Sequence, residues 1–186
     1  MQADARRAWV LATLERHESE LVRYAQRFVG DLHAARDVVQ HAFLRLCDQD
    51  PNELRGREAA WLYRVCRNRA LDWLRQAGRL QAFDENAEQL LESRGSPDQA
   101  GSHEASDPAL LAERGELSDV LRSLIAHLPL LYREPLQLWS QGWSYREIAE
   151  VVERTEGNVR VLVHRAVKTL REHPQVSAWQ TDAVMK

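Results

Sequence analysis

The stretch SYREIAEVVERTEGNVRVLVHRAVKTLRE, Ser144 to Glu172, decides the fold. Ser144 and Glu147 have the spacing of a capping box, in which the hydroxyl accepts from the Glu147 N–H while the carboxylate reaches back to the Ser144 N–H. A short helix from Tyr145 to Val152 is expected. After a turn, Thr155 caps a longer helix to about Glu172, with Glu156 at the positive end of its dipole. At about 100° per residue, Val159, Leu162, Val163, Ala166, Val167 and Leu170 fill one apolar arc. The remaining face holds Arg160, His164, Arg165, Lys168 and Arg171, with Glu156 and Asn158 near its N-terminal end and Val161 among them. Short helix, tight turn and long helix form a helix-turn-helix candidate, and its basic face has the size of a major-groove footprint. Charges opposite an apolar stripe also describe any solvated surface helix. The capping box and the turn spacing favour the helix-turn-helix. Val161 either meets a thymine methyl or is one of the isolated surface apolar residues found on most proteins.

Working upstream, Leu117, Leu121, Leu124, Ile125 and Leu128 keep helical spacing as far as Pro129. The next helix carries Leu131, Leu136, Leu138 and Trp139 and ends at Gly142, with Pro135 tolerated only within its first turn. Before these, residues 77–115 lose periodicity, and Gly78, Gly95, Pro97, Gly101 and Pro108 interrupt a run rich in Asp, Glu, Ser and Gln, the composition of a flexible linker. Residues 6–29 again read as helix, with Trp9, Val10, Leu14, Leu21, Ala25, Phe28 and Val29 on its apolar stripe and Gly30 at its end. Asp31 caps a second helix to about Cys47, whose stripe is Leu32, Ala35, Val39, Ala42, Phe43 and Leu46. After breaks at Pro51-Asn52 and Gly56, a third runs from Glu58 to Gln76.

The expected fold is therefore all-α. A three-helix bundle over 1–76 and a helix-turn-helix domain over 116–173 are joined by the acidic linker 77–115 and followed by a tail, 174–186. That tail, with Trp179 among polar residues, is either a frayed end or a regulatory contact.

A chain of 186 residues accommodates one or two modest cores, and 44% hydrophobic with 28% charged residues is ordinary globular usage. The net charge of −3 argues against a nucleic-acid partner until it is divided along the chain. Residues 1–81 hold 14 Arg against 11 acids, residues 82–116 hold 2 Arg against 9 acids, and residues 117–186 hold 9 basic against 8 acidic side chains. The acidity is concentrated in the middle. Basic residues are 23 Arg and 2 Lys, which suits bidentate contacts to phosphate or guanine but also follows from a GC-rich genome. No apolar run approaches the roughly 20 residues of a membrane span, and the N-terminus lacks a signal peptide's apolar region, so a cytoplasmic location without membrane insertion is expected. Cys47 and Cys66 have neither disulfide nor zinc spacing and read as reduced core thiols. The seven histidines show no ligand spacing either, so no metal, no cofactor and no catalytic centre is expected.

The third helix repeats the basic theme. Arg64, Arg67, Asn68 and Arg75 project within about 100° of one another, flanked by Trp61, while Leu62, Val65, Cys66, Ala70, Trp73 and Leu74 take the remaining surface. Arginines beside an edge aromatic suit a single-strand or groove binder, in which cations pair with phosphates and a ring stacks on a base. A core Trp61 beside a solvated Arg face gives the same pattern. Trp73 reads as core.

Three segments, HAARDVVQHAFLRLC (33–47), AAWLYRVCRNRALDWLRQ (59–76) and LPLLYREPLQLWSQGWSYREIAEVVERTEGNVRVLVHRAVKTLRE (128–172), resemble in order the conserved regions of bacterial sigma factors of the extracytoplasmic-function group. The resemblance implies a non-enzymatic promoter-recognition subunit of RNA polymerase. Its first domain, sigma region 2, would bind the core polymerase clamp and melt the minus-10 element, and its second, sigma region 4, would read the minus-35 element. By position, Asp37, Val38, Gln40, His41, Phe43 and Leu44 match the clamp-binding segment. Trp61, Arg64, Arg67, Asn68 and Arg75 match the strand-opening helix, and the loop Asn52 to Ala60 corresponds to the one that captures a flipped base. Glu156, Asn158, Arg160, Val161, His164, Arg165 and Lys168 fall on the minus-35 recognition helix. Core RNA polymerase and promoter DNA are the implied partners, an anti-sigma protein is a further candidate, and the free factor is expected to be monomeric.

Four positions depart from the family pattern. His41 stands where an acid is usual, Glu153 replaces the usual turn Gly, and Leu162 and Val167 occupy positions that are often basic. Glu153 implies either a left-handed residue or a turn of different shape. A stand-alone helix-turn-helix regulator is the alternative function, but nothing offers a dimerisation seam and it would leave the first domain idle. An enzyme built on Cys66 or the histidines lacks any supporting constellation. Limited proteolysis tests the domain plan: cleavage should begin within residues 84–107, and protection throughout that stretch would refute the linker reading.

Overall fold

The computed structural model describes residues 2–78, 118, 120–174 and 176, which contain helices and no strand. Helix α1 spans Gln2–Val29. It ends where Gly30 turns to φ +78 and its N–H closes on the Gln26 carbonyl at 2.8 Å, a left-handed conformation that glycine adopts without steric cost. Asp31 then accepts a hydrogen bond from the Ala34 N–H at 2.8 Å and starts α2, Leu32–Cys47. That backbone bond holds the Asp31 carboxyl below its ordinary range. A single turn, α3, Pro51–Leu54, is capped by Asp50 through the Asn52 N–H at 2.8 Å. Pro51 therefore starts a helical turn where the sequence suggested only a break, because an N-terminal proline gives up a hydrogen bond that no helix makes there. Helix α4 runs Glu58–Gln76, the bounds its periodicity predicts.

Helices α1, α2 and α4 pack pairwise into a three-helix bundle. Its core is Leu21, Ala25 and Val29, then Ala35, Val39, Ala42, Phe43 and Leu46, then Leu62, Cys66 and Ala70. Tyr24 joins it, its ring centroid 4.7 Å from that of Tyr63. Several expected positions differ. Trp9, Val10, Leu14 and Phe28 are half-buried. Thr13 is buried instead, its hydroxyl donating to the Trp9 carbonyl at 2.8 Å, so the polar group is satisfied within its own helix. Leu32, on the predicted stripe, is 39% exposed at the first position of α2. Trp73 is half-buried rather than core. Cys66 is a buried thiol, pushed up to about 12 by burial, but Cys47 at the end of α2 is exposed and not the core residue expected.

Further along, residues 120–127 are helical, and α5 spans Leu130–Ser140. The N–H groups of Tyr132 and Arg133 both donate to the Pro129 carbonyl at 2.9 Å, so the helix starts directly after that proline. Pro135 consequently lies inside α5 and not in its first turn. The cost is one missing N–H to the carbonyl four residues back. Full burial of the Pro135 ring offsets part of it. Helix α5 ends with Gly142 at φ +89 and the Trp143 N–H on the Leu138 carbonyl at 3.2 Å.

Helix α6, Tyr145–Val152, buries Ile148, Val151 and Val152. Glu153 follows at φ +57, and the Arg154 N–H donates to the Ala149 carbonyl at 3.1 Å. Both features define a Schellman ending in which a glutamate takes the position glycine usually fills. Of the two readings the departure allowed, the left-handed residue is the one observed. Helix α7, Glu156–Arg171, begins at Thr155, whose hydroxyl accepts from the Asn158 N–H at 3.2 Å. Helices α5 and α7 pack together.

Internal packing separates two compact units, one made of α1 to α4 together with Arg146–Arg154, the other including α5 and α7. Among the described residues no helix is long and apolar enough to cross a membrane. Apart from Ala77 and Gly78, the acidic linker of the sequence reading lies outside the described residues, as do Trp179 and nearly all of the tail. Phe43 is 6% exposed. Phe43→Ala should therefore destabilise the bundle by about 3 to 5 kcal/mol, measured as a fall in the denaturant midpoint at unchanged slope.

Candidate nucleic-acid interface

The orientation of α7 follows from its buried side. Val159, Leu162, Val163 and Ala166 are at most 2% exposed, which turns the opposite side outward. Glu156, Arg160, Val161 and Lys168 are exposed there, and Asn158, His164 and Arg165 are half-buried. All seven predicted α7 residues thus lie off the buried stripe. Val167 and Leu170, placed in the apolar arc by projection, are half-buried.

Arg160 and Lys168 on this face are both ion-paired. Arg160 donates through Nη2 to Glu156 Oε1 at 3.1 Å, and Lys168 Nζ lies 3.7 Å from Glu172 Oε1. The Arg160 guanidinium also stands over the Tyr145 ring, 5.2 Å from its centroid. Tyr145 is a neighbour that the α7 projection alone cannot supply, because it belongs to another helix. Asn158 differs from the other polar residues in that its Oδ1 is buried without a hydrogen-bond partner. Such an orphan acceptor costs about 1 to 3 kcal/mol, which favours turning the amide toward an external donor.

On α4 the structure divides the predicted group. Arg64 and Asn68 are half-buried and Arg75 is exposed, its Nη1 2.6 Å from Asp72 Oδ1. Trp61 and Arg67, however, are only 8% and 9% exposed. Projection places Arg67 about 60° from Arg64, on the flank the bundle covers, and a helical wheel orders side chains without locating that boundary. Trp61 takes the core alternative that its pattern left open. Neither presents a surface to a nucleic acid as folded. Arg69 is also exposed on α4, about 140° around the helix from Arg64 and outside the arc that Arg64, Arg67, Asn68 and Arg75 share.

The α2 group divides in the same way. Asp37, Gln40 and Leu44 are exposed and share one side of the helix, Leu44 being 61% exposed. Val38 is 2% exposed and belongs to the core, one residue and about 100° around from Asp37, so its assignment to a contact surface is corrected. His41 is half-buried beside this row. Burial foremost, then the Arg69 and Arg45 charges, lower its pKa from the ordinary 6.5. A groove of about 360 Å³ between α1 and α2 is lined by Val10, Leu14, Val39, Phe43 and Leu44, with Gln40 at its edge. Among the described residues no group of three His, Cys, Asp or Glu is placed to hold a metal.

A short helix, a left-handed turn and a second, capped helix with a polar, largely basic outward face define the helix-turn-helix class of DNA-binding modules. Residues 13–80 match Sigma-70 region 2 and residues 118–170 match Sigma-70, region 4. The ECF RNA polymerase sigma factor SigL of Mycobacterium tuberculosis is 34% identical over 177 residues, covering 91% of this chain and 90% of SigL. The RNA polymerase sigma-H factor of Pseudomonas aeruginosa is 30% identical, covering 89% and 86%. ECF RNA polymerase sigma factor SigE of Mycolicibacterium smegmatis is 27% identical over 86% of this chain and 59% of its own length. The chain belongs to the ECF RNA polymerase sigma factors and is a promoter-recognising subunit of that family.

The lowered pKa of His41 gives a pH dependence with a definite sign. Folding disfavours the charged ring, so its contribution to stability is complete above pH 6.5 and is lost as pH falls through the lower folded value. An NMR titration should place the His41 midpoint below that of an unfolded reference, and an equal or higher midpoint would contradict this environment.

Proposed function

We propose that the exposed α2 row of Asp37, Gln40 and Leu44, with His41 beside it, docks on core RNA polymerase. In this reading α4 works on the minus-10 element and α7 reads the minus-35 element. The observation that carries the reading is the outward face of α7, which holds Glu156, Asn158 and Arg160 at its N-terminal end and cations further along. A recognition helix enters the major groove N-terminus first, so Asn158 and Arg160 select sequence, with Glu156 and Val161 beside them. Arg165 and Lys168 mainly hold phosphates, with His164 between.

On α4 the strand-opening role rests on Arg64, Asn68 and Arg75. Trp61 and Arg67 act from within the bundle by holding that face in place. The segment 52–60, expected as a loop, is helical at both ends and a turn only over 55–57, and that turn offers the site for an unstacked base. The factor works by recognition, without an active site of its own, as a cytoplasmic monomer that polymerase recruits. The exposed Leu44 row is also the surface an anti-sigma protein would have to cover to keep it from polymerase.

Two substitutions test the assignment. Leu44→Ala should melt normally yet bind core polymerase more weakly, and full affinity would remove the clamp contact. Arg160→Ala should cost about 1 to 3 kcal/mol and relax preference at one minus-35 base pair, whereas Lys168→Ala should weaken all promoters alike and reduce the salt slope by about one. Transcription from promoter variants at several salt concentrations reads both effects. The opposite pattern would mean the helix is seated differently.

A further inference from the structure

We propose that Tyr145 is a positioning residue for promoter specificity, its ring and the Glu156 carboxylate together holding the Arg160 guanidinium in its base-reading direction before DNA arrives. This rests on the reading of Arg160 as a base contact and adds to it a residue outside the recognition helix. The guanidinium carbon lies 5.2 Å from the Tyr145 ring centroid, within cation–π range. Its Nη2 simultaneously donates to Glu156 Oε1 at 3.1 Å. Tyr145, Glu156 and Arg160 all belong to the same compact unit, so the geometry is internal to it.

Neither contact alone is enough to order this side chain. The Arg160 and Glu156 side chains are 57% and 50% exposed, and an exposed pair one helical turn apart is screened by water and salt. The ring supplies a second direction from a different helix. Tyr145 is half-buried at the start of α6, so its ring is partly fixed by its surroundings. A guanidinium has five N–H donors, and Glu156 uses one of them. The remaining donors are sufficient for the O6 and N7 acceptors of a guanine. An arginine ordered in advance does not lose its rotamer freedom on binding, and that difference is felt at the base pair it reads, not at every phosphate.

The experiment uses the full chain bound to core polymerase and a promoter library randomised over the minus-35 element. Arg160→Ala identifies the base pair that Arg160 reads. Tyr145→Leu, which keeps bulk but removes the π face, should lower discrimination at that same base pair by about 2- to 5-fold, the strength of an exposed cation–π contact. The salt slope should not change. Tyr145→Phe keeps the ring and should retain the preference. Combining Tyr145→Leu with Arg160→Ala should cause no loss beyond Arg160→Ala alone, because both act through one side chain. Glu156→Gln, which leaves Tyr145 intact, should reduce discrimination at the same base pair and carries the test if Tyr145→Leu melts early.

Unchanged discrimination in a Tyr145→Leu protein that melts normally would overturn the proposal, as would unchanged discrimination in Glu156→Gln. An equal loss on all promoters with Tyr145→Phe would overturn it too, by marking the hydroxyl as a phosphate contact. Full additivity in the double variant would have the same consequence. If Arg160→Ala itself leaves base preference unchanged, the underlying assignment of Arg160 fails instead, an outcome distinguishable from failure of the Tyr145 role alone.

Discussion

Burial of one side of α7 constrains the proposed recognition surface on the other. Val159, Leu162, Val163 and Ala166 are all removed from solvent, and fully burying a leucine or valine side chain contributes about 1.5 to 3 kcal/mol. Turning the helix to expose them would forfeit several such terms at once. The rotation of α7 about its axis is therefore set by its core side, and the identity of the residues on the outer side is a consequence. Leu162 shows this directly. It stands where the family often carries a cation, yet here it is fully buried, so the position serves packing and any phosphate grip depends on Arg165, Lys168 and Arg171.

The entry to α7 is held by a conformation that glutamate adopts at a cost. A left-handed residue other than glycine loses roughly 1 to 2 kcal/mol of steric freedom. At Glu153 this is offset by the Arg154 to Ala149 hydrogen bond and by the Thr155 cap one residue further on, which together satisfy backbone groups at the ends of α6 and α7. The turn is thus determined more by what the two helix ends require than by the residue at its corner.

In the bundle, the same competition between core and surface decides which candidate residues remain available to partners. Asp37, Gln40 and Leu44 lie outward on α2, while Val38 is taken by the core. Trp61 and Arg67 are covered, whereas Arg64, Asn68 and Arg75 keep access to solvent. A substitution at Trp61 or Arg67 therefore acts first on stability, while one at Arg75 or Leu44 tests the proposed contacts more cleanly. His41 belongs between these classes, half-buried and surrounded by positive charge from Arg45 and Arg69, so its neutral form is favoured.

Local signals in the chain were enough to place the longer helices. Asp31 and Thr155 cap through their own side chains, Gly30 and Gly142 take positive φ, and caps with apolar spacing mark α2, α4, α6 and α7 to within a residue or so, whereas the single turn α3 behind Asp50 read only as a break. These features are legible because caps, glycine turns and helical periodicity involve only neighbours in sequence. The outward residues of α7 were legible for the same reason, since a single broad apolar stripe leaves only one face for the polar ones. What the sequence left undecided depended on neighbours distant along the chain. How far the bundle covers α4 removed Trp61 and Arg67 from the surface, and the depth of the α2 core claimed Val38. Proximity across a turn placed Tyr145 under Arg160. Helical projection gives the angle of each side chain but not the edge of the surface that will bury it, and that edge exists only once the helices have packed.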